Sequence, residues 1–193
     1  MEIPIPSSAA LLVIDVQQGM HDPSMGNRNN PDAEANLERL LDAWREQGRP
    51  VINVNHNSIH PTSVFHASHP GNQIQEFARP KVGEPLFEKS ANCAFIGTDL
   101  ETYLRDRGID TVVIVGFVTN HCVETTARIA GDLGFDTYVV SDATAAFDRV
   151  GPDGTHFDAE TIHSVALTSI HGEFATVVDT QAVLASIAPA VSA

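Results

Sequence analysis

Read from its amino terminus, the chain first turns continuously apolar at residues 9–15 (AALLVID), with no polar alternation before the closing aspartate. Such a run predicts a strand buried on both faces, because a half-exposed strand would alternate. The period then changes. Leu37, Leu40, Leu41 and Trp44 recur at helical spacing; Asn30 can cap that helix, Pro31 suits its first turn and Gly48 ends it. Strands follow at residues 51–54 and, briefly, 86–88. Residues 98–101 (TDLE) read as a capping box opening a helix that runs through Arg107 and stops at Gly108. Residues 111–116 (TVVIVG) form the next buried strand, and a helix runs from about His121 to Leu133, before Gly134. A strand at 137–140, a helix at 158–170, a strand at 175–178 and a short terminal helix complete the pattern.

Hydrophobic strands separated by helices predict an α/β fold, in which crossovers force a parallel sheet with helices on both faces. No repeat or linker interrupts it, so residues 1–193 read as one domain. The exception is the stretch 55–85, which holds four histidines and four prolines with little periodicity. A loop of that length in a compact domain is usually functional.

Composition narrows the picture. Hydrophobic residues make up 42% and charged residues 19% of 193, values typical of a globular chain. A formal net charge of -14 argues against nucleic-acid or anionic-membrane partners, which an acidic surface repels. No basic-plus-apolar leader and no membrane-length apolar run is recognisable. Two cysteines, Cys93 and Cys122, cannot make a disulfide scaffold, and the compartment reads as reducing and cytoplasmic.

In an open parallel sheet, ligands bind beyond the carboxyl ends of the strands. Three ionisable residues fall there: Asp15 in LLVIDVQQG, Lys89 in FEKSANCAF and Cys122 in VIVGFVTNHCVETTAR. A thiol attacks well only as a thiolate, which a helix N-terminus and a nearby cation favour. Cys122 is placed to open a helix, Lys89 can supply the cation, and Asp15 can take the thiol proton and return it to a leaving amine. Backbone N–H groups in residues 117–122 can form an oxyanion hole. Taken singly, Asp15 reads as a turn residue, Lys89 as a surface lysine and Cys122 as a small buried hydrophobe. Their coincidence at three strand ends favours amide hydrolysis through a thioester.

These motifs resemble the isochorismatase-like cysteine hydrolase superfamily, which includes nicotinamidases, N-carbamoylsarcosine amidohydrolase and isochorismatase. ALLVIDVQQGM is similar to its first strand, FEKSANCAFIGTDLETYLRDRGIDTVVIVG to its lysine segment, and GFVTNHCVETTARIAGDLGFDTYVVSDATAAF to its nucleophile loop and following strand. HFDAETIHSVALTSIHGEFATVVDT is similar to the subgroup containing streptothricin hydrolase. The resemblance implies a three-layer α/β/α fold whose six parallel strands run in the order 3-2-1-4-5-6. It implies Asp15 as general base and acid, Lys89 as thiolate stabiliser and Cys122 as nucleophile. It also implies a cis peptide between Phe117 and Val118, an oxyanion hole from the Val118 and Cys122 N–H groups, and a homodimer or homotetramer.

One departure stands out. Nicotinamidases place Asp-x-His after the second strand as metal ligands, whereas Asn55 and Asn57 flank His56 here. The ligand carboxylate is missing, so no metal or other cofactor is expected. His60, His66 and His69 then read as solvated or substrate-contacting. His56, Asn120 and His121 are candidate substrate contacts, with helix capping the alternative for the last two. Cys93 reads as packing, and His171, Glu173 and Phe174 as an interface or the edge of the site.

The expected substrate is therefore a small amide, ureide or lactam. An enol ether is the second enzymatic reading, although family members acting on one lack the cysteine. A non-catalytic binding protein is a third. A phosphatase with an Asp-x-Asp pair is excluded by Gln17, and a dinucleotide fingerprint is absent from VQQGMHD.

Overall fold

The computed structural model describes residues 3–188. Strand β1 (Ala10–Ile14) is buried throughout, and its alternate side chains divide between two cores. Leu11 and Val13 enter one, while Ala10, Leu12 and Ile14 enter the other. Strand β4 (Thr111–Phe117) divides likewise, with Val113, Val115 and Phe117 opposed to Val112 and Ile114. A strand covered on both faces needs apolar residues at every position, which explains the unbroken runs.

Helices α1 (Ala33–Glu46) and α5 (Thr180–Ile187) cover the first core. Helices α2 (Leu100–Asp106), α3 (Glu124–Asp132) and α4 (Ala159–Ile170) contribute to the second. In α1 the predicted stripe is fully buried, and the Trp44 indole N–H donates to Ala9 O at 3.0 Å. With β2 (Val51–His56), β3 (Leu86–Lys89), β5 (Asp136–Ala145) and β8 (Thr176–Val178), the sheet has six parallel strands. Their order, β3-β2-β1-β4-β5-β8, is the expected one. The last strand is eighth in the chain because an antiparallel hairpin, β6 (Arg149–Val150) with β7 (His156–Phe157), intervenes. The order reverses at β1, so the crevice opens beyond the carboxyl ends of β1, β2 and β4.

Several local expectations are corrected. Helix α1 begins at Ala33, and Asn30 does not cap it. Asn30 takes a left-handed φ of 44°, and its side-chain amide donates to the carbonyls of Ser141 at 2.9 Å and Thr144 at 2.7 Å. It ties the approach to α1 onto β5. The TDLE box does not close: the Thr98 hydroxyl donates to Ala94 O at 2.6 Å, and Glu101 faces Arg105 one turn on. The single helix expected from His121 is a wide π turn, Thr119–Val123, running into α3.

Strand β5 extends five residues beyond the expected 140, through a register shift against β4 between Ile114 and Gly116. Gly116 sits at φ 109°, so close to β1 that a Cβ would collide with Ile14 O. The long loop after β2 is pinned from inside. The Gln17 amide donates to His56 O and Asn72 O at 3.0 and 2.9 Å and accepts from His56 N. Asn72 Nδ2 donates to Phe65 O at 2.8 Å.

Candidate active site

Asp15, Lys89 and Cys122 come together at the crevice. Asp15 follows β1 with φ 51°, Lys89 is the last residue of β3, and Cys122 lies in the π turn after β4. Lys89 Nζ donates to Asp15 Oδ2 at 2.6 Å and to Cys122 Sγ at 3.3 Å, and it lies 3.4 Å from His56 Nδ1. The side chains of Lys89 and Asp15 are 0% and 1% exposed, so this ion pair has exchanged water for protein contacts. The Cys122 thiol points to Asn92 Oδ1 at 3.7 Å. Asp15 Oδ1 is buried and, among the described residues, unpartnered.

Burial pushes the Asp15 carboxyl above the ordinary range, with Lys89 opposing the shift. Burial also pushes the Cys122 thiol strongly up; the Asp15 charge adds to this and Lys89 opposes it. Burial thus outweighs the helix start and the Lys89 charge that were expected to favour the thiolate. Cys122 rests as a thiol in a site too dry to hold an extra negative charge, and it needs a base at the moment it reacts. His56 is held below its ordinary value by burial and then by Lys89, so its imidazole is neutral at neutral pH.

The cleft over this trio encloses about 140 Å³. Asp15, Cys122, Val118, His56 and His121 line it, together with Asn92 and Arg149 and with Met20, Met25 and Phe65. His56 packs edge-on to Phe65, their ring centres 6.3 Å apart. The Phe117–Val118 peptide is cis. Asn120 does not enter this cleft, which corrects its expected role; it lines a separate groove with Glu124, Phe157 and α4 residues. His171, Glu173 and Phe174 lie near the amino ends of β5 and β8, away from the crevice, so they do not edge it. Cys93 is a buried free thiol.

Asp15, His56 and Cys122 form the one group of His, Cys, Asp and Glu among the described residues close enough to share a metal ion. The Lys89 ammonium already stands within 3.4 Å of a ligand atom of all three. A divalent cation would meet that charge, so the residues do not fit a metal. Asn55 and Asn57 supply no carboxylate, and His60, His66 and His69 do not join the group.

Behind the π turn lies a buried polar chain that the periodicity did not reveal. Thr119 Oγ1 is 2.8 Å from His163 Nδ1 and 3.0 Å from Thr144 Oγ1. His163 reads from sequence only as one polar residue on an apolar helix. Asn92 and Arg149 were also missed. Asn92 had a usable signal, three residues after Lys89, whereas Arg149 stands in a two-residue strand with no period to detect.

An isochorismatase domain model matches residues 9–182. The isochorismatase family protein YrdC of Bacillus subtilis (strain 168) is 47% identical over 171 residues, covering 89% of this chain and 91% of that protein. Nicotinamidase 3 of Arabidopsis thaliana is 30% identical, covering 89% and 84% respectively. A solved isochorismatase-family structure from Chromobacterium violaceum superposes with a TM-score of 0.92 at 37% identity, over 97% of this chain and 98% of that one. A cysteine hydrolase from Pseudomonas syringae pv. phaseolicola gives 0.87 at 27% identity, over 96% and 95%. The chain thus belongs to the isochorismatase family, as a hydrolase of that family.

Proposed function

We propose that this protein hydrolyses a C–N amide bond of a small molecule, with Cys122 as nucleophile, Asp15 as proton carrier and Lys89 as charge stabiliser. The observation that carries this reading is the buried ammonium within reach of both the carboxylate and the sulfur. Likeness to a nicotinamidase and to a cysteine hydrolase supports it.

Cys122 adds to the carbonyl carbon as its proton passes to Asp15, so no free thiolate accumulates. Lys89 steadies the charge that develops on sulfur, and the Val118 and Cys122 N–H groups receive the oxyanion. Asp15 returns its proton to the departing nitrogen, the C–N bond breaks and a thioester remains. Water then attacks, giving its proton to Asp15, and the acid leaves as the Cys122 thiol reforms. The neutral imidazoles of His56 and His121 offer hydrogen bonds to the substrate in a cleft of small-molecule size.

A panel of primary amides, ureides and lactams, read by ammonia or amine release, tests this directly. Cys122→Ala should stay folded and lose turnover by roughly a thousandfold or more. Rapid quench of wild type with a slow amide should show an acyl mass on the peptide carrying Cys122. An adduct elsewhere, or undiminished turnover in Cys122→Ala, would falsify the proposal.

A further inference from the structure

The cleft holds one cation that the chemistry above does not use. Arg149, on β6, lines the same cavity as Cys122. Arg28, Arg45, Arg79, Lys89, Arg105 and Arg128 each have a carboxylate partner. Among the described residues Arg149 has none; Arg39, Arg49, Lys81 and Arg107 also lack one, but none of those lines the cleft. Its guanidinium spends one N–H on the Asp148 carbonyl, at 3.0 Å, which orients it and leaves most of its five donors free.

Neighbouring acids are already engaged. The Asp148 carboxylate accepts from Asn27, from the Ala159 N–H and from His156. Glu124 is held by Arg128 at 2.7 Å. His121, at the same cleft, feels the Arg149 charge and lies below its ordinary pKa through burial and that charge, so it is a neutral donor or acceptor. In a chain of net charge -14, an uncompensated guanidinium lining the same cavity as Cys122 is a local reversal of sign.

We propose that Arg149 binds a carboxylate, and that the amides this cleft cleaves are short amido acids, anionic at the end remote from the scissile bond. This rests on the amidohydrolase reading. Arginine's planar fork matches a carboxylate in two parallel hydrogen bonds, a geometry that a lysine ammonium cannot copy. The apolar wall of Met20, Met25 and Phe65 suits the short methylene spacer between the two ends.

Alkylation tests the anion site independently of turnover. Iodoacetate and iodoacetamide react alike: the thiol loses its proton to base, sulfur bonds to the methylene carbon, and iodide leaves with the C–I electrons. They differ in whether the remote group is a carboxylate or a neutral amide. The iodoacetate-to-iodoacetamide rate ratio at Cys122 should exceed that of free glutathione by about tenfold, a difference of about 1.4 kcal/mol. Arg149→Gln should remove that excess, and Arg149→Lys should restore part of it. A wild-type ratio no higher than that of glutathione, or one unchanged in Arg149→Gln, overturns the proposal.

Turnover supplies the second arm. Succinamate should be preferred over neutral succinamide, and Arg149→Gln should raise KM for succinamate more than it lowers kcat. Malonamate and glutaramate read the spacer length. Anion-selective alkylation without turnover of any amide would retain the Arg149 site and remove the amidohydrolase reading. Turnover of neutral amides without anion selectivity would retain that reading and remove the carboxylate site.

Discussion

Lys89 carries more of this site than its single charge suggests. Its ammonium is fully buried, so removing it strands the Asp15 carboxylate and withdraws the stabilisation of any charge on Cys122. Losing one partner of a buried pair typically costs about 3–5 kcal/mol. In Lys89→Met, Asp15 should be driven further toward its protonated form. The folded chain then binds a proton that the unfolded chain lacks, so the variant's stability should rise as pH falls and drop as pH rises. A one-unit rise in thiol pKa is tenfold in thiolate, and a close opposite charge is typically worth about 1–3 units. Iodoacetamide should therefore alkylate Cys122 at least about tenfold more slowly in folded Lys89→Met at fixed, mildly alkaline pH. An unchanged rate would mean that Lys89 does not act on the sulfur.

At the scale of elements, the approach of β4 to β1 sets the spacing of the π turn carrying Cys122 from Asp15. Gly116 makes that approach possible, with φ 109° and no room for a Cβ against Ile14 O. Gly116→Ala adds a collision with backbone to left-handed strain, together about 2–5 kcal/mol. Gly134, which ends α3 at φ 82° in open space, provides the control: an alanine there meets only the strain, about 1–2 kcal/mol. Urea midpoints should show the larger loss for Gly116→Ala, and equal losses would remove the packing argument. The same elements show what was legible. β1 and β4 read clearly because burial on both faces demands uninterrupted apolar residues. The carboxyl half of β5 did not, because Ser141, Asp142 and Thr144 make it locally polar and its pairing depends on the partner's register shift. Asn30 misled because Asn-Pro is a common helix opening, whereas its real partners lie 111 and 114 residues away. The cluster of Asp15, Lys89 and Cys122 was readable because strand ends are where this architecture puts chemistry. Arg149 was not, since a two-residue strand has no pattern.

For the molecule as a whole, three histidines, of which His163 is buried, shape the response to acid. His56, His121 and His163 all lie below the ordinary histidine pKa, with burial the leading cause. Below about pH 6.5 the unfolded chain takes up protons that these folded histidines resist, so stability is lost as pH falls. Asp15, shifted upward, opposes this with a single proton. The urea midpoint should drop between about pH 7.5 and 5.5, and His163→Gln, able to keep the Thr119 contact, should flatten the slope. The same slope in both proteins would clear His163 of any part in it. The parallel topology has a further consequence. Asp15 and Lys89 are 74 residues apart, and Lys89 and Cys122 are 33 apart, so local structure alone cannot bring them together. Such non-local pairings form late, after loop-closure entropy has been overcome. A nascent chain therefore carries an ordinary, unassisted cysteine. Its burial and its contacts with Asp15 and Lys89 arrive only with completed architecture, which makes the change in its alkylation rate a clock for maturation of the polypeptide.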